Sequence, residues 1–400
     1  MIVDTAVIGG GASGLFAACF LQKHHVDFVL LEKNPECGQK LLTTGHGRCN
    51  ITNLKPPAEL KKGYHEAANF VYPAIKGFSP SDCVKFINDE LKLKTKVEEN
   101  DRVFPVSDKA SDVRDAMVRY IGSGRIITGF DCVSVERNDK GFKVASAGGG
   151  SVTAKHLILA CGGMSYPKTG SDGSGFALAS SLGHKINAPR SALAPVRTSE
   201  DFCKNLAGVS ADNADLTLWT DGKKTASYRG NILFTHSGIS GPAVMELSRE
   251  IPPEITEETY FLANFAPSLD ERTFASEVNS NPGTKLVNLV SSYVPRSLAL
   301  AVCEDGDLYC RDTRSEVRKA VYRRLTEMRF DIKEVPDIKT AYCTRGGVIL
   351  NELDRNTYQS KIVPGLYIIG ENTDVDGISG GYNLAFAAGS AYLAVMSIVG

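Results

Sequence analysis

The chain has 400 residues, too many for one ordinary core, so two or three domains are expected. A hydrophobic share of 42% and a charged share of 23% exclude a disordered or fibrous class and fit a globular protein. A net charge of −1 excludes a global basic field of the kind that gathers nucleic acid.

The first apolar run begins at Ile2, so no secretory signal is expected. No apolar run is read as approaching the roughly 18–20 residues that cross a bilayer. The ten cysteines are dispersed and none forms a C-x-x-C pair, which argues against a zinc ribbon or a thioredoxin-type motif. Reduced, buried thiols in a cytoplasm are the expectation, with no metal site and no membrane attachment.

Ile2 to Ile8, interrupted only at Asp4 and Thr5, predicts a buried strand. Gly9-Gly10-Gly11-Ala12-Ser13-Gly14 follows, then the helical pattern Leu15 to Leu21, then a second strand, Asp27 to Leu31, ending at Glu32. Gly9, Gly11 and Gly14 fit G-x-G-x-x-G, and Glu32 lies about twenty residues on. Each has a mechanical reason. Gly9 permits the strand-to-helix turn, Gly11 lets backbone approach a pyrophosphate, and Gly14 lets helix and strand pack. The helix start at Ala12 and Ser13 offers N–H groups and a partial positive charge to phosphate. Glu32 can accept hydrogen bonds from ribose hydroxyls, with Lys33 beside it.

A polar, glycine-rich loop runs from Cys37 to Asn53. Residues 79–93 predict an amphipathic helix opened by Ser79-Pro80-Ser81-Asp82, and Ser111 to Ile121 another. Arg125 to Val135, Gly141 to Val144 and His156 to Ala160 read as strands, and 173–183 as a helix. Short strands are expected at Leu216 to Trp219, Lys224 to Tyr228 and Asn231 to Phe234, with a turn at Asp221-Gly222. Helix signals occupy 268–330, and strands return near 338–350. Gly365 to Glu371 is a last strand and turn, and Tyr382 to Ile398 a last helix.

The fold class is therefore α/β: one Rossmann-like dinucleotide-binding domain interrupted by a two-part insertion. The expected boundaries are 1–187 with 345–400 for the dinucleotide-binding domain, 188–265 with 331–344 for a β-rich inserted domain, and 266–330 for a small helical domain. The stretch Gly370-Glu371 and Asp376 to Asn383 supplies a second half-site. Acids and glycines there open a small-residue helix, and Gly380 and Gly381 let backbone pass against a flat ring. A helix N-terminus beside a ring that gains negative charge on reduction suits a flavin.

Four segments resemble the HI0933-like family of FAD flavoproteins (the BaiN and aminoacetone oxidase type). They are the N-terminal fingerprint, Gly38 to Asn53, Gly162 to Gly170, and Gly365 to Asn383. Phe234-Thr235-His236-Ser237-Gly238-Ile239-Ser240-Gly241-Pro242 adds a fifth likeness, and Gln39, Thr44 and His46 depart from the family pattern.

The resemblance implies that this is a Rossmann-like FAD-binding domain of the two-dinucleotide-binding type, interrupted by a β-rich inserted domain and a small helical domain, with FAD as cofactor and Lys40, Gly47, Arg48, Cys49 and Asn50 along it. Val133 is expected to bring backbone to the adenine. Ala160, Gly162, Gly163 and Tyr166 pass close to the cofactor, and Tyr382, Asn383 and Leu384 stand with Gly380 and Gly381 at the flavin end. Arg48 reads either as a cofactor contact or as a loop-anchoring salt bridge. Cys49 and His236 are the candidates for catalysis, each weighed against simple packing or structural roles.

The expected reaction is hydride transfer between bound FAD and a small organic substrate, with the protein supplying position and electrostatics. Only one G-x-G-x-x-G occurs, so NAD(P)H is expected to dock transiently as the electron donor rather than to own a domain. An oxygen-using amine oxidase is the alternative. Flavin-dependent tRNA modification is a third, carried by the basic stretch Arg311 to Arg329, which Asp312, Glu316 and Glu327 interrupt.

Overall fold

In the computed structural model, which describes residues 1–400, the fingerprint strand is the centre of a parallel sheet. Ile2–Ile8 pairs in parallel with Phe28–Leu31 on one side and with Ser151–Leu159 on the other. Ile126–Ile127 extends the sheet beyond Phe28–Leu31. Ser151–Leu159 is long enough to serve two neighbours along its far edge. Its first half pairs antiparallel with Gly141–Ser146, and its second half pairs in parallel with Leu366–Ile368. Cys132–Asn138 completes an antiparallel meander. The C-terminal strand thus returns some two hundred residues later to lie one strand away from the first, as the sequence pattern required.

Two compact units emerge: Met1–Arg190 with Tyr342–Gly400, and Ser191–Ala341. In the first, helices Ala12–Lys23 and Tyr382–Val399 pack together over one face of the sheet. Their small residues Ala17, Ala18, Ala388 and Ala391 are fully buried in a core that also takes Phe20, Phe386 and Tyr64. Pro80–Asp89 is a helix at the expected start, closed by a capping box in which Ser79 and Asp82 bond each other's backbone N–H. Helix Ala68–Gly77, with Pro73 inside it, lies in a stretch for which the sequence analysis gave no element. Its Val71, Ala74 and Ile75 are buried, and tertiary packing overrides the local signal.

Tyr382–Val399 corrects one expectation. Its 18 residues are long and apolar enough, by length and composition, to cross a membrane. The run is that of a core helix: 56% of it is buried inside the first unit. Small residues concealed the apolar length from the sequence reading.

In the second unit, the three short strands expected between 216 and 234 are two long ones, Ser210–Thr220 and Lys223–Thr235. They pair antiparallel about the Asp221-Gly222 turn, with bulges on the way. Tyr260–Asn264 and Met328–Asp331 extend the sheet. Helices Glu271–Ser280, Leu286–Val290, Arg296–Cys303 and Ser315–Thr326 lie in the stretch read as helical. The sequence reading set these helices apart from the strands. Here Phe234 and Phe330 from strands share one core with Phe274, Val290, Leu298 and Leu325 from helices.

Candidate functional site

The glycines of the fingerprint sort by what a side chain would meet. A Cβ on Gly14 would sit 1.8 Å from the Gly9 carbonyl oxygen, and one on Gly9 would sit 2.5 Å from that of Ala160. Those two glycines are required by the fold itself. Gly11 is different: its φ of −74° is open to any residue, and a Cβ there meets nothing within 4 Å. Neither backbone conformation nor protein packing asks for glycine at Gly11. The space beside it is a cradle kept clear.

Gly11 is also the N-cap of helix Ala12–Lys23, which has no side-chain cap and no acid in its first turn. Gly381 holds the same place on Tyr382–Val399, again with no side-chain cap and no first-turn acid. Two long helices thus present uncapped N-termini, each a source of N–H donors and partial positive charge. The two half-sites touch: a Cβ on Gly370 would lie 2.6 Å from Ser13 Oγ. Gly381, by contrast with Gly11, is set by packing, since a Cβ would meet the Thr52 backbone at 2.6 Å.

Glu32 is buried, with one oxygen accepting from the Gly10 N–H at 2.7 Å and the other from the Asn34 N–H at 2.8 Å. These bonds fix the carboxylate and leave lone pairs free for hydroxyl donors. Lys33 turns to Asp172 at 2.7 Å. Val133 lies at a bulge in its strand and is 56% exposed, so its backbone is off the regular ladder.

Lys40 joins three distant segments. Its Nζ donates to Ser165 Oγ at 2.6 Å and to Glu371 Oε2 at 2.7 Å. Glu371 Oε1 accepts from the Thr344 N–H at 2.7 Å and from the Ser165 hydroxyl at 3.1 Å. Thr344 Oγ1 in turn accepts from the Met164 N–H at 2.8 Å. Gly163 lies against it, since a Cβ there would meet Thr344 Oγ1 at 2.3 Å. The sequence singled out Lys40 and Glu371 but not Ser165 or Thr344 as site residues. Thr344 carries no local signal, because its partners Met164 and Ser165 lie some 180 residues away and Glu371 lies 27 residues on. Gly162 has a φ of +78°, and Ala160 is buried where its N–H bonds the Ile8 carbonyl. Tyr166 holds a left-handed backbone, φ +53°, and meets the Tyr342 ring edge-on at 5.8 Å. Burial raises its hydroxyl pKa.

Arg48 takes the anchoring arrangement. Its guanidinium bonds Glu98 and Asp108 and lies 4.2 Å over the Phe104 ring. Lys96 closes the cluster at 2.6 Å from Asp108. The cations hold the carboxyls of both Glu98 and Asp108 below their ordinary values. Cys49 is fully buried in the same loop with a φ of +62°, and burial pushes its thiol up to about 12. It is therefore a neutral thiol at physiological pH. All ten cysteines are free of disulfides. His236 is exposed on a turn of the second unit, between Lys223–Thr235 and Gly238–Ser240.

At the flavin-end loop, Asn383 bridges the Gly377 backbone at both its N–H and C=O, each at 2.9 Å. Asp376 is buried, Leu384 is half-buried, and Tyr382 receives the Tyr64 hydroxyl on its carbonyl at 2.8 Å. A Cβ on Gly47 would meet only the Leu42 carbonyl oxygen, and one on Gly380 only Asn53 Nδ2, each at an ordinary contact distance of 3.9 Å. Asn50 Oδ1 and Thr52 Oγ1 are buried without a protein partner. Uncommitted acceptors, two open helix starts and the clear space at Gly11 fit a phosphate-bearing, hydroxyl-bearing dinucleotide.

The HI0933-like protein Rossmann domain model matches residues 3–397. The chain belongs to the HI0933-like family. Membership sets it among flavin-dependent oxidoreductases. It is 29% identical over 99% of its length to the ribosomal RNA dihydrouridine synthase of Escherichia coli, covering 98% of that protein. It is 31% identical over 97% of both chains to the 3-dehydro-bile acid delta(4,6)-reductase of Clostridium scindens. The 3-ketosteroid delta1-dehydrogenase structure of Sterolibacterium denitrificans superposes with a TM-score of 0.53 at 14% identity, covering 100% of this chain and 99% of that one, a likeness of fold.

Proposed function

We propose that this HI0933-like protein binds FAD across its two half-sites and uses it to saturate a carbon–carbon double bond conjugated to a carbonyl. NAD(P)H, docking transiently, is the electron donor. The observation that carries the proposal is the clear space at Gly11, facing an uncapped helix start and joined to the second half-site through Ser13 and Gly370. The names of the two curated relatives support the substrate class. A dihydrouridine differs from uridine, and a reduced bile acid from its 4,6-unsaturated precursor, by saturation of C=C bonds in conjugation with a carbonyl.

The residues divide the work. N–H groups from Gly11 to Gly14 receive the pyrophosphate, and Glu32 accepts the ribose hydroxyls. Glu371, fixed by Lys40, Ser165 and Thr344, holds together the loops that flank the cofactor's length. The start of Tyr382–Val399 faces the ring end, where its partial positive charge favours the more negative, reduced state. Bound FAD supplies the hydride chemistry itself.

The substrate is either a free small molecule or a uracil ring within RNA. The rRNA-named relatives favour RNA. The composition of the basic stretch favours a small molecule, since Arg324 pairs with Glu304 and Arg329 with Asp331, both at 2.6 Å. Location in the cytoplasm belongs to the same proposal and accords with ten free thiols. The experiment is anaerobic reduction of FAD-loaded protein by NADH and NADPH, followed by re-oxidation with an enone steroid, a uridine-containing RNA, or an amine-derived acceptor. Absence of any nicotinamide-driven reduction would refute the donor. Re-oxidation by oxygen alone, after reduction by an amine, would favour the oxidase alternative.

A further inference from the structure

The loop that leaves the central sheet after Ala160 reaches across to the sheet's other side. Ser151–Leu159 and Phe28–Leu31 are the two parallel neighbours of Ile2–Ile8, so the fingerprint turn stands between their C-terminal ends. Residues 163–173 start just beyond Ser151–Leu159 and close on themselves, the Gly173 N–H donating to the Gly163 carbonyl at 3.0 Å. They are nonetheless fastened to the segment that follows Phe28–Leu31. Lys33 Nζ lies 2.7 Å from Asp172 Oδ2, Asn34 Nδ2 donates to the Thr169 carbonyl at 3.1 Å, and Lys40 Nζ donates to Ser165 Oγ at 2.6 Å. Adjacent strands lie about 4.8 Å apart, so a loop that joins the outer two crosses roughly 10 Å, over the end of the strand between them.

The crossing is tight at its far side and clear beneath. A Cβ on Gly170 would lie 2.5 Å from Asn34 Nδ2, whereas one on Gly11, in the turn being crossed, meets nothing within 4 Å. Ser171 Oγ is buried without a protein partner and lies over Gly162, where a Cβ would come within 3.1 Å of it.

The fastenings differ in strength. Ser165 is fully buried, its hydroxyl bonded to Lys40 and Glu371 and its N–H to Thr344 Oγ1 at 3.2 Å. The Lys33 and Asp172 side chains are 23% and 47% exposed. A partly exposed ion pair is weak and opens readily, and a buried network does not. FAD carries a broad ring system at each end and a narrow pyrophosphate between them. With the pyrophosphate at the fingerprint turn, neither ring can be threaded under a crossing fastened on both sides.

We infer that residues 163–173 form a strap over the cofactor's pyrophosphate, held at Ser165 and latched by the Lys33–Asp172 ion pair, and that this latch must open for FAD to enter or leave. The inference rests on the FAD reading and is independent of the substrate. Both halves of the latch belong to the protein, so it gates entry as well as exit. Weakening it therefore raises the association and dissociation rates by the same factor and leaves the affinity where it was. A residue that only touches bound FAD would change dissociation alone.

The test uses the full-length protein. Apoprotein is mixed with FAD in a stopped-flow instrument and the change in flavin fluorescence gives the association rate. Loaded protein is then mixed with an excess of a second FAD-requiring apoenzyme, which captures released FAD and gives the dissociation rate. Asp172→Asn is expected to raise both rates together by about 1.5–5-fold, with Kd within about twofold of wild type. Asp172→Lys, which sets a cation against Lys33, is expected to raise both further. Dissociation that rises while association stays at the wild-type rate makes Asp172 a contact of the bound cofactor and overturns the strap. Wild-type values for both rates in both variants overturn it as well. Wild-type protein that takes up no FAD overturns the FAD reading itself, and the inference with it.

Discussion

Replacing Gly11 by alanine separates a cofactor cradle from a fold requirement. The φ of −74° suits alanine and a Cβ there meets nothing within 4 Å, so the ligand-free protein gains no strain. Losing the extra freedom of glycine in the unfolded chain is worth about 0.4–1 kcal/mol, or a rise of roughly 1–4 °C in melting temperature. FAD affinity moves the other way. A methyl in the pyrophosphate space displaces the backbone N–H contacts, and a loss of about 2–3 kcal/mol is a fall of about 30–150-fold. Gly14→Ala is the control: its Cβ would lie 1.8 Å from a backbone oxygen, and that protein is expected to unfold or misfold. Differential scanning calorimetry on ligand-free protein and fluorescence titration with FAD give both numbers. A Gly11→Ala protein that melts lower without FAD, or that binds FAD as tightly as wild type, refutes the reasoning.

Lys40→Met removes the cation that Glu371 and Ser165 share, and is expected to cost about 1–3 kcal/mol and to weaken FAD binding, read by calorimetry and titration. Glu371→Gln in that background should recover part of the stability, because no unpaired carboxylate then remains. Cys49→Ala should retain turnover, and Cys49 should resist iodoacetamide at pH 7.5 in the native state, since its thiol is raised to about 12; rapid labelling there would contradict its burial. The Glu98 and Asp108 carboxyls are held below their ordinary values by Arg48 and Lys96. Their contribution is therefore present above the unfolded carboxylate pKa, near 4, and is lost as pH falls through the lower folded values. Hydrogen exchange in residues 44–53 should stay slow at neutral pH and accelerate below about pH 4, and Asp108→Asn should accelerate it already at neutral pH.

The fingerprint was legible because its parts are local: strand, glycines, helix and Glu32 fall within one short segment, and the structure keeps them in register. The C-terminal strand and helix were legible for the same reason. The partners of charged loop residues were not. Lys40 reads as a cofactor-facing cation until the chain returns with Glu371 and Thr344, and Arg48 faces Glu98 and Asp108, in and just beyond a hairpin, Thr95–Glu98 with Arg102–Pro105, whose strands of 4 residues each are too short to show a periodic pattern. Tyr382–Val399 concealed its apolar length behind alanine, glycine and serine, the residues that let it pack against Ala12–Lys23.

The central claim is that FAD bound across both half-sites passes hydride from a nicotinamide to a conjugated C=C bond. It is tested most directly by the visible spectrum of FAD-reconstituted protein under anaerobic conditions, before and after NADPH, and again after an enone or uridine acceptor. The account predicts a flavin band that bleaches with NADPH and returns with the acceptor. A protein that shows no flavin band after reconstitution would contradict it at its root.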